Sequence, residues 1–240
     1  MTRVARGFDV EAAHAHLRKR DRALARWFRK VEAVEADARW RRSFDVVDAL
    51  ARAILFQQLS GKAASTIVGR VEVATASKLL HADSFARVDD ATLRACGVSG
   101  NKTLALRDLS ARAARGEIPD TAAMARMSDA QIIEALSAVR GIGAWTVQMM
   151  LMFRLGRADV LPVDDLGIRK GAQVVDGLEA MPTPKVLAAR GEVWGPYRTL
   201  AGMYLWRIAD AARAPVAKSA TMKRKGGPTA NAKPVPRSQG

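Results

Sequence analysis

The strongest constraint on the fold is the run Leu136-Ser137-Ala138-Val139-Arg140-Gly141-Ile142-Gly143-Ala144-Trp145-Thr146. Before it, Ser128 and Gln131 form a capping-box pair, and Ile132, Ile133, Leu136 and Val139 recur at helical spacing. After it, Ala144 to Phe153 is apolar and free of helix breakers, so a second helix is expected. Gly141 and Gly143 permit a turn too tight for residues that carry a β-carbon. The second helix of such a hairpin starts with unpaired N–H groups, which suit an anion, most commonly a phosphate. No Lys-Ser/Thr pair follows the glycines, so a nucleotide-binding P-loop is not implied. An ordinary helical hairpin with a glycine turn would account for this stretch equally well.

The sequel narrows the choice. In Asp159-Val160-Leu161-Pro162-Val163-Asp164-Asp165-Leu166-Gly167-Ile168-Arg169-Lys170, two adjacent carboxylates follow a proline and precede an apolar run. Either can cap a helix, but one helix needs one cap. The other is left for a different task.

The rest of the chain reads as helices and turns. Val10 to Ala36 holds one or two helices with Leu17, Leu24, Trp27, Phe28 and Val31 as the apolar stripe. Ser43 to Gly69 is a helix pair, broken at the polar Gln57-Gln58-Leu59-Ser60-Gly61. Asp89-Asp90 opens a short helix that ends at Gly97, and a further helix runs through to Arg115-Gly116. Asp120 or Thr121 begins the approach to the hairpin, Thr183-Pro184 caps a helix, and a last helix covers Arg198 to Ala212. Gly69 to Val73 is the one strand candidate, so the fold class is all-α.

Composition limits the class of function. A net charge of +15 favours an anionic partner. Seven of the basic residues lie from Ala211 to Gly240, where there is no acidic residue and Pro, Ala and Gly are frequent. A basic, disordered tail is expected there, after a helical domain covering 1–210. The single cysteine, Cys96, excludes an internal disulfide and a four-cysteine cluster, and its place before Gly97 suggests a buried helix end. There is no apolar run long enough for a membrane span and no signal-like N-terminus, so a cytoplasmic monomer without membrane contact is expected. His14, His16 and His81 are far from these motifs and are read as surface residues.

Four motifs in one order resemble the helix-hairpin-helix DNA glycosylase superfamily, in its DNA-3-methyladenine glycosylase II branch. They are Ala53-Ile54-Leu55-Phe56-Gln57-Gln58-Leu59-Ser60, Arg140 to Thr146, Leu161 to Leu166, and Trp194-Gly195-Pro196-Tyr197-Arg198 continuing to Trp206. The resemblance implies two helical subdomains with the active site in the cleft between them, and the hairpin at about 128–155. It implies a monofunctional enzyme of base excision repair that flips alkylated purines such as 3-methyladenine and 7-methylguanine out of double-stranded DNA and hydrolyses the N-glycosidic bond.

By the same resemblance Asp165 is the catalytic carboxylate and Asp164 caps or orients. Trp145, Trp206 and Phe56 form the base pocket. Met149 and Leu166 stand where some relatives have aromatic residues. Gln58, Leu59, Gly141, Gly143, Ala144 and Thr146 contact DNA, with either Gln58 or Leu59 as the wedge that fills the emptied stack. Bifunctional relatives carry a Schiff-base lysine where this chain has Trp145. The backbone carbonyls of Ser137, Val139 and Gly141 match a structural Na⁺ or K⁺ site, with no cofactor required.

The chemistry suits these residue types. Glycosidic cleavage develops positive charge on the sugar, which a fixed carboxylate stabilises. A base alkylated on a ring nitrogen is already cationic, leaves readily, and stacks on electron-rich rings. Two other functions fit parts of the sequence: a non-catalytic helix-hairpin-helix DNA-binding protein, and a glycosylase for another base lesion.

Overall fold

The computed structural model describes residues 6–213, and those residues contain helices and turns but no strand. Thirteen α-helices follow one another: α1 (Val10–Arg20), α2 (Arg22–Ala25), α3 (Val46–Phe56), α4 (Gly61–Ala74), α5 (Ala82–Ala86), α6 (Asp90–Ala95), α7 (Gly100–Ala114), α8 (Thr121–Met124), α9 (Asp129–Ser137), α10 (Ala144–Met150), α11 (Leu166–Asp176), α12 (Pro184–Arg190) and α13 (Arg198–Arg213). None of them is long and apolar enough to cross a membrane. Gly69 to Val73, the strand candidate, lies inside α4. There Ala64, Val68 and Val71 recur every three or four residues and are buried, so the helical period prevails over the local β-branched run. The last helix runs to Arg213, three residues beyond the expected domain boundary, and the remainder of the basic tail lies outside the described residues.

Local capping sets most helix starts. Ser128 and Gln131 make the reciprocal capping box of α9, Asp45 caps α3, Ser60 caps α4, Ser99 caps α7 and Thr183 caps α12 ahead of Pro184. α10 does not end as an ordinary helix. It widens at Leu151–Leu155 into a π-helical turn and stops at Gly156 in the left-handed conformation.

Two groups of helices pack around one continuous apolar core. In one group, α3 and α5 both lie on α7, with α4 and α6 alongside. In the other, α11 and α13 pack over most of their length, with α1, α2 and α12 around them. That pairing is tight because a β-carbon on Gly171 would fall 2.0 Å from the Leu205 carbonyl oxygen. The α9–α10 hairpin joins the two groups.

Polar bonds fasten elements that are distant in sequence. Trp40 Nε1 donates to the Met152 carbonyl at 2.8 Å, which pins the 3₁₀ turn Ala38–Arg41 to the π turn. Asp21 is 5% exposed, caps α2 and accepts from Trp194 Nε1 at 2.7 Å and Arg190 at 2.6 Å. The N-terminal helices are thereby locked onto the C-terminal part of the chain.

The histidines correct the expectation of surface positions. Tyr204 Oη accepts the Val34 N–H and shares a hydrogen bond with His14 Nε2 at 2.7 Å. Burial and then Arg18 hold the His14 imidazole below its usual range. His16 packs edge-on against Tyr197, its Nε2 buried, and His81 lies at the start of α5, 3.5 Å from Asp45. Only His81 is close to a surface residue. Cys96 is buried at the end of α6, as its position before Gly97 suggests.

Candidate functional site in the interhelical cleft

The hairpin brings its glycines to the surface and anchors itself between them. Gly141 has φ +77°, a conformation that side-chain-bearing residues rarely adopt, and Gly143 caps α10 without a side-chain bond. Ile142 between them is buried in the core, while Gly141, Gly143 and Ala144 are exposed and Thr146 is half-buried. An apolar knob in the core with bare backbone on either side presents the N–H groups at the start of α10 outward.

Asp165 stands at the N-terminus of α11 and has three donors. Its Oδ1 accepts the Ile168 N–H at 2.8 Å and Trp206 Nε1 at 2.7 Å, and its Oδ2 accepts Trp145 Nε1 at 2.8 Å. A carboxylate offers about four lone-pair positions, so about one stays open on Oδ2. The cap of α11 is thus Asp165 itself. Asp164, which the sequence suggests as cap, is exposed, because the turn that follows Pro162 aims the second carboxylate at the helix. Gly167 makes room for the arrangement. A β-carbon there would meet Trp206 Cδ1 at 2.7 Å and Asp165 Oδ1 at 3.1 Å.

Next to this carboxylate lies a cavity of about 460 Å³. Phe56 from α3, Gln57 and Gln58 from the turn after it, Trp145 and Met149 from α10, and Phe153 from the π turn form its walls. Its apolar rim is open to solvent: Trp145 is 48% and Phe56 42% exposed. Leu166 beside Asp165 is also exposed. Its ring faces suit a flat guest; Arg39 and Arg154 also stand at its wall, and Asp165 adjoins it through the Trp145 indole.

Of the residues that the sequence offers for a base pocket, Trp145 and Phe56 line the cavity. Trp206 does not. It stacks on Phe153, ring centroids 5.9 Å apart, and spends its N–H on Asp165, so it acts from behind the wall. Phe153 and Arg39 were not legible as site residues. Phe153 follows Trp145 and Met149 at intervals of four, a periodicity that points to it in retrospect. Arg39 has no such signal. Its guanidinium sits 4.9 Å from the Phe153 ring centre and is paired with Asp37, which offsets its charge at the cavity wall. Gln58 adopts φ +57°, unusual for a residue with a side chain, and this backbone projects it and Leu59 into solvent.

Two of the three carbonyls considered for a monovalent cation are already engaged. The Gly141 carbonyl accepts from Gln57 Nε2 at 2.8 Å and the Val139 carbonyl from the Ile142 N–H at 3.0 Å. The described residues contain no cluster of His, Cys, Asp or Glu fit to hold a metal ion.

Comparison with known proteins gives a consistent picture. Residues 51–196 match the family model described as HhH-GPD superfamily base excision DNA repair protein. The chain is 36% identical over 164 residues to DNA-3-methyladenine glycosylase 1 of Schizosaccharomyces pombe, covering 68% of this chain and 72% of that one. The fold is similar to a solved 3-methyladenine DNA glycosylase of the same yeast in complex with abasic DNA, with TM-score 0.70 and 33% identity over 81% of this chain and 95% of that chain. It is also similar to a DNA-3-methyladenine glycosidase from Bacillus halodurans, with TM-score 0.75 and 33% identity over 86% and 94% of the two chains.

Proposed function

The chain belongs to the HhH-GPD superfamily of base excision DNA repair proteins and is a monofunctional DNA glycosylase for alkylated bases, and we propose that it releases alkylated purines, 3-methyladenine and 7-methylguanine among them, with Asp165 as its catalytic group. The observation that carries this reading is the position of Asp165. It is held by the indole N–H of a tryptophan that also lines the cavity.

The residues divide the work. The N–H groups at the start of α10, exposed at Gly143 and Ala144, take a phosphate of the DNA backbone, and Thr146 flanks them. One of Gln58 and Leu59, both exposed at the turn after α3, enters the stack when the damaged nucleotide swings out. Trp145, Phe56 and Phe153 receive the cationic base on their ring faces. The C1′–N bond then breaks with its electron pair leaving on the base, which neutralises the base's charge. Positive charge appears on the sugar instead, and the Asp165 carboxylate stabilises it. Water, oriented by the open lone-pair position on Oδ2, adds to C1′ and gives its proton to that carboxylate. Trp145 and Trp206 hold the carboxylate so that it need not reorganise during the reaction.

No lysine stands in place of Trp145, so the sugar is hydrolysed rather than captured as a Schiff base. A monovalent cation on Ser137, Val139 and Gly141 would share two of its carbonyls with existing hydrogen bonds, and no step depends on it. The groups named make a complete site within one chain, so the reaction needs no second copy.

The test is to incubate the protein with methylated duplex DNA and identify the released bases. Release of 3-methyladenine and 7-methylguanine is expected. Binding without release would favour a DNA-binding module, and release of only oxidised or mismatched bases from other substrates would favour a different lesion.

A further inference from the structure

Helix α7 contributes nothing to the cavity, yet one of its faces touches both surface turns that meet DNA in the reading above. Three residues spaced three apart make the contacts. Lys102 Nζ donates to the Leu55 and Gln57 carbonyls, each at 2.8 Å, at the C-terminal end of α3. Ala105 packs under the hairpin, so close that a β-carbon on Gly141 would lie 3.5 Å from its own. Asp108 Oδ2 accepts the Arg140 N–H at 2.8 Å, just before that glycine. The turns are also joined directly, because Gln57 Nε2 donates to the Gly141 carbonyl at 2.8 Å.

We infer that Lys102 is a positioning residue, which fixes the Gln58–Leu59 turn in register with the glycine hairpin so that the wedge enters the DNA stack where the damaged base leaves. This rests on the assignment of Gln58 and Leu59 as the wedge.

Three features favour it over a plain helix-end contact. First, Gln58 is held at φ +57°, and a side-chain-bearing residue keeps such a conformation only where its surroundings enforce it. The carbonyl that Lys102 grips belongs to the residue immediately before Gln58. Second, Lys102 makes its bonds to carbonyls alone. Burial pushes its ammonium below the ordinary lysine range, with no carboxylate acting to raise it. A surface lysine placed only for solubility would not be desolvated in this way. Third, the same helix face reaches the hairpin within two turns of chain, so movement of one turn is transmitted to the other through a rigid element.

The requirement for a wedge depends on how firmly the target base is paired, since an unpaired base costs less to extrude. Lys102→Met is therefore compared with wild type on two duplexes, one with an alkylated purine opposite its normal partner and one with the same lesion opposite an abasic site. Single-turnover excision from the paired duplex should fall by roughly ten- to a hundredfold, the size expected for losing at least one hydrogen bond from a charged donor. Excision from the unpaired duplex should stay near wild type, and Lys102→Arg, which can still donate to both carbonyls, should recover the paired rate.

A 2-aminopurine beside the lesion reports the local unstacking on binding and should lose its fluorescence rise in Lys102→Met while keeping it in Lys102→Arg. Gln57→Ala, which cuts the direct link without touching Lys102, should lower the paired-to-unpaired ratio in the same direction. It serves if Lys102→Met does not fold. An equal loss on both duplexes, or no loss on either, overturns the inference. Should wild type release no base at all, the fault lies with the catalytic reading, and the fluorescence signal still decides the register.

Discussion

Replacing Asp165 with Asn separates its two duties. As a helix cap, Asn is about as good as Asp, so the Ile168 N–H keeps its acceptor. The same oxygen can keep Trp206 Nε1. The new amide nitrogen must then face Trp145 Nε1, donor against donor, where Oδ2 now accepts at 2.8 Å. Losing that bond would cost about 1–3 kcal/mol if Trp145 were buried. Trp145 is 48% exposed and can turn its N–H to water, so a cost near the lower end is expected. That corresponds to a fall in Tm of about 2–4 °C for a domain of this size.

The catalytic loss should be much larger. A unit charge about 4 Å from a developing positive charge, at an effective dielectric of about 20, contributes about 4 kcal/mol. Removing one preorganised group costs a similar amount in other electrostatic sites. At about 1.4 kcal/mol per decade, the single-turnover rate should drop by roughly a thousandfold. Binding to damaged duplex should change little. The assay is single-turnover release from one alkylated duplex at saturating enzyme, with affinity and melting temperature measured separately. Asp164→Asn, altering an exposed carboxylate next door, is the matched control and should excise at the wild-type rate. Excision at the wild-type rate by Asp165→Asn would refute the electrostatic role and leave Asp165 as a cap alone.

Other outcomes follow from the same geometry. Trp206→Phe keeps the ring stacked on Phe153 but removes the donor to Asp165, and should slow excision by about tenfold with affinity for DNA preserved; an unchanged rate would show that Trp145 and the cap suffice. Borohydride should trap no covalent enzyme–DNA adduct, because Trp145 stands in place of a Schiff-base lysine; efficient trapping seen on a denaturing gel would contradict this. Gly171→Ala drives a β-carbon into the Leu205 carbonyl and should destabilise the α11–α13 pairing by about 3 kcal/mol or prevent folding, as read by thermal melting. Burial pushes the Asp21 carboxyl up, but Trp194, the Leu24 N–H and Arg190 together hold it below the usual carboxylate range. Its contribution is therefore present above the unfolded-state value and is lost as pH falls through the folded value, so wild type should lose stability below about pH 4. Asp21→Asn should be less stable at neutral pH and show a shallower loss in acid; parallel stability curves would exclude Asp21 as the source.

The elements that the sequence determined are those whose controlling bonds are local. Ser128 and Gln131 announce α9, and Thr183 with Pro184 announces α12, because a cap and its amide lie within three residues of each other. The glycine hairpin was equally legible, since Gly141 and Gly143 bracket an apolar residue between two helical patterns. Local information failed where two local signals competed. Val71 and Val73 resemble a strand until the helical period puts Val71 with Ala64 and Val68 on the buried stripe of α4 and leaves Val73 exposed. Asp164 and Asp165 are equivalent as caps until the turn after Pro162 selects one. The site itself was decided by tertiary structure. Trp145 and Trp206 reach Asp165 across 20 and 41 residues, and Gly167 and Gly171 matter only because α13 lies against them. Arg39 and Phe153 meet at the cavity because Trp40 is bonded to the π turn 112 residues away. Bonds of that range depend on the packing of the whole core, which brings distant side chains within hydrogen-bonding distance only after the helices have buried their apolar faces.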